Sequence, residues 1–357
     1  MPIAVVGAGA AGLAAAHALR QSDVAVTVFE KSRGVSGRAA TRWRDVAGPS
    51  GMLDRWRFDH GAQYISPEPG SPSARLIQEV AGDAVAEVAG AVWPFDDDGT
   101  LRPDRAREPG LRWTFADGVA QIGHRLRDAT PGLDLRHQRV TSLGRAGDTW
   151  TVVTDDGARA PGFDAVLLTA PAPQSAEIVR QSDVPGAAAL VDALGQATYR
   201  SQFTVVWGFG HEVERPADVY ALVNADEHGG AGGGHDVAWL AVESDKPGRS
   251  PQGTTILMAQ MSQAWTEAHY DDPKPDVVSA AAEAVAGVWG ALPEPLWTDT
   301  QRWRYSLPNA AADPDALDHA ARHGLFFAGD FTAGKGRVHL ALEEGLSAAE
   351  RIRQSLG

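Results

Sequence analysis

Near the start of the chain, Gly7-Ala8-Gly9-Ala10-Ala11-Gly12 spells G-x-G-x-x-G, a spacing suited to holding a pyrophosphate. The first glycine allows a tight turn, the second lets backbone approach the phosphates, and the third lets a helix pack closely on a strand. The helix that follows then presents free N–H groups and the positive end of its dipole to the anion. Glu30, 18 residues past Gly12, stands where a carboxylate can accept both hydroxyls of a ribose. Gly7, Gly9, Ala10, Ala11, Gly12 and Glu30 are therefore candidate dinucleotide ligands.

Other groupings fail on their chemistry. Gly329-Asp330-Phe331-Thr332-Ala333-Gly334-Lys335 approaches a phosphate-binding loop, but Gly336 follows the lysine where a magnesium-holding hydroxyl is required. His319 and His323 share one helical face without the glutamate of a metalloprotease helix, and they sit before Gly324 as an ordinary helix end would. Asp96-Asp97-Asp98-Gly99 lacks the alternating ligands of a calcium loop. No metal is expected. The chain has no cysteine, which excludes disulfides, a redox dithiol and a flavin tethered through sulfur.

The elements that must position the glycine turn are legible around it. Ile3–Val6 is a short apolar run of the buried-strand kind, Ala10–Leu19 favours helix, and Val24–Phe29 is β-branched. Together they form a βαβ unit. Val140–Leu143 and Trp150–Thr154 flank a Gly147–Asp148 turn and read as a meander. Phe163–Thr169 and Leu325–Ala328 are further buried strands, and a helix is expected from about Val338 to Gln354. Phe203–Phe209 and Val237–Val242 are apolar runs in a middle region, and Gly229–Gly234 reads as a loop. The 357 residues are ample for a large core, and 43% of them are hydrophobic. With 46 acidic against 32 basic residues, the formal charge is −14, which makes nucleic acid a poor partner. The apolar first nineteen residues lack a basic n-region and are broken by glycines, so neither a signal peptide nor a membrane span is expected. A cytoplasmic location follows from that reading.

The residues after Glu30 separate the possible dinucleotides. Glu30-Lys31-Ser32-Arg33-Gly34-Val35-Ser36-Gly37-Arg38 resembles the acid-to-G-G-R stretch of the flavin amine oxidase superfamily, with Ser36 replacing the first glycine of the pair. Phe58-Asp59-His60-Gly61-Ala62-Gln63-Tyr64 resembles that superfamily's segment passing the flavin, and Phe327-Ala328-Gly329-Asp330 its second FAD motif. Arg337-Val338-His339 opens the last helix. Within the superfamily the closest resemblance is to the renalase-like group. It rests on Thr169–Gln174, Trp239–Ala241 with Asp245–Arg249, Ser262–Trp265 and Arg302–Tyr305, in the group's order across nearly the whole chain.

The resemblance implies an α/β fold: a Rossmann-type FAD-binding domain (1–65, 135–175 and 300–357) with an interleaved α+β substrate domain (66–134 and 176–299) on a mixed or antiparallel sheet. FAD is the implied cofactor, and flavin N5 carries the chemistry. Lys31, Gly37, Arg38, Gly61, Ala62, Gln63, Tyr64, Val140, Gly329, Asp330, Arg337 and Val338 join the cofactor candidates. Gln63, Tyr64, Trp265, Trp303 and Tyr305 are the substrate candidates; Trp93, Trp113, Trp239, Trp289 and Trp297 read as core. Lys246 lies in a Lys-Pro-Gly-Arg loop context and is given no catalytic part. The implied reaction is oxidation of dihydropyridine isomers of NAD(P)H to NAD(P)⁺, with electrons passing to O2 to give H2O2. A small-amine oxidase and a non-catalytic flavin-binding sensor are the alternatives, and the protein is expected to be a monomer or a homodimer.

Overall fold

The computed structural model describes residues 1–20, 24–48, 52–106, 110–225 and 234–356 of the chain. The glycine-rich expectation at Gly229–Gly234 thus falls outside the described residues except at Gly234. Strand Pro2–Val6, helix Ala10–Leu19 and strand Ala25–Phe29 form the expected βαβ unit. They belong to a parallel sheet of five strands in the order Leu325–Phe327, Ala165–Leu168, Pro2–Val6, Ala25–Phe29, Asp134–Arg136. Apolar cover on both faces explains why its strands read as continuous hydrophobic runs. One face packs against the first helix, helices Pro72–Ala81 and Gln121–Asp128, and the last helix, Val338–Leu356. The other packs against the meander 140–163, helices Ala172–Arg180 and Ala187–Gly195, and helix Pro314–Ala321.

The second sheet has six strands. Trp297–Pro308, Tyr199–Phe209, Thr255–Met261, Val237–Val242 and Ala221–Asn224 run antiparallel, and Val92–Phe95 adds a parallel edge. Helix Lys274–Trp289 covers one face, and its Val277, Ala281 and Val285 join a core with Trp207, Leu240 and Leu257. The sheet is mixed, as expected. The domain limits differ from those expected. Residue 300 falls inside strand Trp297–Pro308, which pairs with Tyr199–Phe209 and so belongs to the second sheet. Helices Pro72–Ala81 and Gln121–Asp128, expected with the substrate domain, bury Leu76, Ile77, Ile122 and Leu126 beside the first helix. Surface helices without their own strands carry no sequence mark of which sheet they cover.

Candidate functional site

A cavity of about 2980 Å³ runs between the two sheets, roughly three times the upper end of ordinary small-ligand pockets, which reach about 1,000 Å³. Val6, Phe29, Thr169 and Gly329 place one end of it at the carboxyl edge of the parallel sheet, where open α/β sheets bind their ligands. Gly7 holds φ +111° and donates its N–H to the Phe29 carbonyl at 2.8 Å. A Cβ on Gly12 would lie 2.0 Å from the Gly7 carbonyl oxygen, so this glycine permits the strand–helix contact and stays off the cavity wall. A Cβ on Gly9 would meet no protein atom within 4 Å. Only Gly9 among the three is therefore small on behalf of something outside the protein, and that fits a dinucleotide diphosphate laid against the backbone. Ser36, standing where the superfamily has glycine, is held at φ +83° with its Oγ buried and without a partner, a strain of about 1–2 kcal/mol.

Glu30 Oε2 accepts the Ala8 N–H at 2.8 Å and Oε1 the Ser32 N–H at 2.7 Å. These bonds aim the carboxylate across the glycine turn and leave lone pairs for a ribose. Asp330 is gripped by Arg38 in a two-pronged pair, Nη2 to Oδ1 at 2.8 Å and Nη1 to Oδ2 at 2.7 Å. The Arg38 Nη1 also donates to the carbonyls of Tyr305 and Ser306. Lys31, Gly37, Gly61, Ala62, Val140, Arg337 and Val338 also line the cavity, as do Ala10 and Ala11.

Another wall is segment 60–64, which follows the hairpin Thr41–Ala47/Leu53–Asp59. Its anchor is a group of four charges that sequence reasoning missed. Asp59 Oδ2 accepts from Lys246 Nζ at 3.1 Å and from Arg249 Nη2 at 2.7 Å; Glu243 pairs with the same two cations at 2.6 and 2.9 Å, and all four side chains are fully buried. Burial pushes the Asp59 carboxyl upward, but Lys246 and Arg249 outweigh it and hold the pKa at about 2. Lys246 therefore belongs to the scaffold. Its third N–H goes to Gln63 Oε1 at 3.3 Å, while Gln63 Nε2 donates to the carbonyls of Asp59 and Gly61 at 2.7 and 3.1 Å. Gln63 thus forms wall with both amide protons spent on the protein. The clue to this cluster was Lys246, one of only four lysines in the chain, three residues before Arg249.

Aromatic rings finish the wall. Trp303 donates Nε1–H to the His60 carbonyl at 2.8 Å and stacks on the His60 ring, centroids 5.4 Å apart and planes 11° apart. Burial and then Arg42 lower the His60 pKa to about 4, so the ring is neutral. Tyr64 packs against Trp239 and Tyr220 at 6.1 and 6.4 Å. Gln63, Tyr64, Trp303 and Tyr305 meet in the cavity, but Trp265 does not. Ser262 caps the short helix Gln263–Ala268, and Trp265 turns into the core against Phe203 and His269, 5% exposed. Trp239, expected in the core, lines the cavity instead. Strand alternation puts this ring on the same face as Ala241, opposite Leu240 and Val242, while a register shift before Trp239 turns Val237 to the Leu240 side. Alternation alone could not say which face was which.

Residues 98–353 match the family model described as flavin containing amine oxidoreductase, and residues 5–80 match an NAD(P)-binding Rossmann-like domain. Renalase of Mus musculus is 24% identical over 314 residues, covering 85% of this chain and 84% of that one. Among solved structures, a reduced UDP-galactopyranose mutase superposes with TM-score 0.73 at 12% identity, covering 99% of this chain and 94% of that chain. A putrescine oxidase triple mutant superposes with TM-score 0.71 at 15% identity, covering 99% and 98%.

Proposed function

The chain belongs to the flavin containing amine oxidoreductase family and is an FAD-dependent oxidoreductase, and on that premise we propose that it oxidises dihydropyridine isomers of NAD(P)H to NAD(P)⁺, with dioxygen reduced to hydrogen peroxide. The observation that carries this reading is the charge on the cavity wall. Among the described lining residues the carboxylates are Glu30 and Glu177 at the nucleotide end, and Asp330, neutralised by Arg38. The wall beyond them carries Arg304 and Arg337 with aromatic rings. A diphosphate-bearing substrate suits cations there, whereas a diamine would need a carboxylate for its distant ammonium. The likeness to renalase supports the same choice.

Bound FAD supplies a two-electron acceptor that dioxygen can reoxidise. The protein's part is to hold and orient. Gly7, Gly9, Ala10 and Ala11 offer backbone to the diphosphate, Glu30 takes a ribose, and Arg38 and Asp330 hold the chain between diphosphate and ring. Tyr64, Trp239, Trp303 and Tyr305 stack and exclude water. Loss of hydride makes the dihydropyridine aromatic, so no strong base is needed, and the neutral His60 is consistent with that. The test is anaerobic mixing of the yellow protein with 6-dihydro-NAD and, separately, with primary amines, following the flavin band. Bleaching by the dihydropyridine alone is expected. Bleaching by amines alone would transfer the reading to amine oxidation, and bleaching by neither would refute both.

A further inference from the structure

We propose that Tyr199, which opens strand Tyr199–Phe209 of the second sheet, is a positioning residue for FAD that acts through Asp330. Its hydroxyl donates to Asp330 Oδ1 at 3.1 Å. The phenol thus ties the second sheet to the nucleotide unit at Asp330. The Arg38 guanidinium lies 5.6 Å from the Tyr199 ring centroid, and the Tyr305 ring meets it edge-on at 5.7 Å. The phenol has its proton fixed as a donor, because burial and the Asp330 charge both raise its pKa.

A carboxylate has about four lone-pair positions. On Asp330, Oδ1 takes Arg38 Nη2 and Tyr199, and Oδ2 takes Arg38 Nη1. The position left is on Oδ2, so the two residues together select which oxygen, in which direction, meets a hydroxyl of the cofactor. Arg38 alone would leave one position on each oxygen and a cofactor hydroxyl free to take either. Tyr199 removes that freedom before FAD arrives.

This inference rests on Asp330 holding FAD, and the experiment separates the two. FAD affinity is measured by fluorescence titration of apoprotein for wild type, Y199F, D330N and the double variant, alongside thermal melting of each apoprotein. D330N tests the reading beneath: a D330N protein that binds FAD like wild type would refute it. If Asp330 holds FAD, Y199F is expected to weaken binding about tenfold in the wild-type background and less than twofold in D330N, with little change in apoprotein melting. Equal losses in both backgrounds, or no loss in Y199F, would overturn the role of Tyr199. Should the double variant fail to fold, wild type and Y199F are compared on FAD and on an analogue whose linker lacks the hydroxyls. The preference for FAD is expected to shrink in Y199F; an unchanged preference would overturn the proposal.

Discussion

Replacing Gly9 by alanine separates what the glycine turn does for the protein from what it does for its cofactor. Gly9 has φ −79° and ψ −175°, extended backbone that alanine adopts freely, and its added methyl would touch nothing within 4 Å. The apoprotein is therefore expected to be within about 1 kcal/mol of wild type, lost freedom in the unfolded chain offsetting the poorer helix N-cap that alanine makes at this position. The methyl would instead stand in the cavity where a diphosphate approaches. Displacing that group from two backbone N–H donors forfeits roughly 1.5–3 kcal/mol for each charge-assisted bond, which amounts to about 10²–10⁴-fold in FAD affinity. Gly12→Ala is the contrasting control. Its methyl would lie 2.0 Å from the Gly7 oxygen and 2.9 Å from Thr169 Oγ1, so it should destabilise the apoprotein itself by about 1–3 kcal/mol through overpacking. Both effects are read from urea unfolding of apoprotein and from FAD titration. A Gly9→Ala protein that purifies yellow at full occupancy, or one whose apoprotein melts as poorly as Gly12→Ala, would refute the reasoning.

Two further outcomes follow from the buried groups. Lys246→Met leaves Asp59 and Glu243 sharing Arg249 alone, and an uncompensated buried charge costs about 3–5 kcal/mol. A clear fall in urea midpoint is expected, partly recovered by adding Glu243→Gln, and an unmoved midpoint would show the cluster to be dispensable. His60, at about 4 when folded against 6.5 for the free side chain, takes up a proton more readily in the unfolded chain. Its contribution is thus fully present above pH 6.5 and lost as pH falls toward 4, by about 3 kcal/mol in all. Compared with His60→Phe, wild type should lose that much more stability across this window; parallel pH curves would count against a buried neutral imidazole.

The amino-acid sequence by itself determined the nucleotide end of the molecule. Gly7 to Gly12, Glu30 and the strands on either side act within one βαβ unit, where turn geometry and hydrophobic period are local properties that a short segment carries intact. Pro2–Val6, Ala10–Leu19 and Ala25–Phe29 stand almost where the residues placed them, and so does the last helix. The aromatic cavity wall was a tertiary decision. Trp239 and Trp265 exchanged places between core and cavity because the choice of strand face and a helix cap aim them, and neither leaves a mark in composition. Asp59 meets Lys246 across 187 positions of chain, and Tyr199 meets Asp330 across 131. Polar groups so far apart become partners only when the sheets close on each other, since burial makes an unpaired polar or charged group too costly to leave alone.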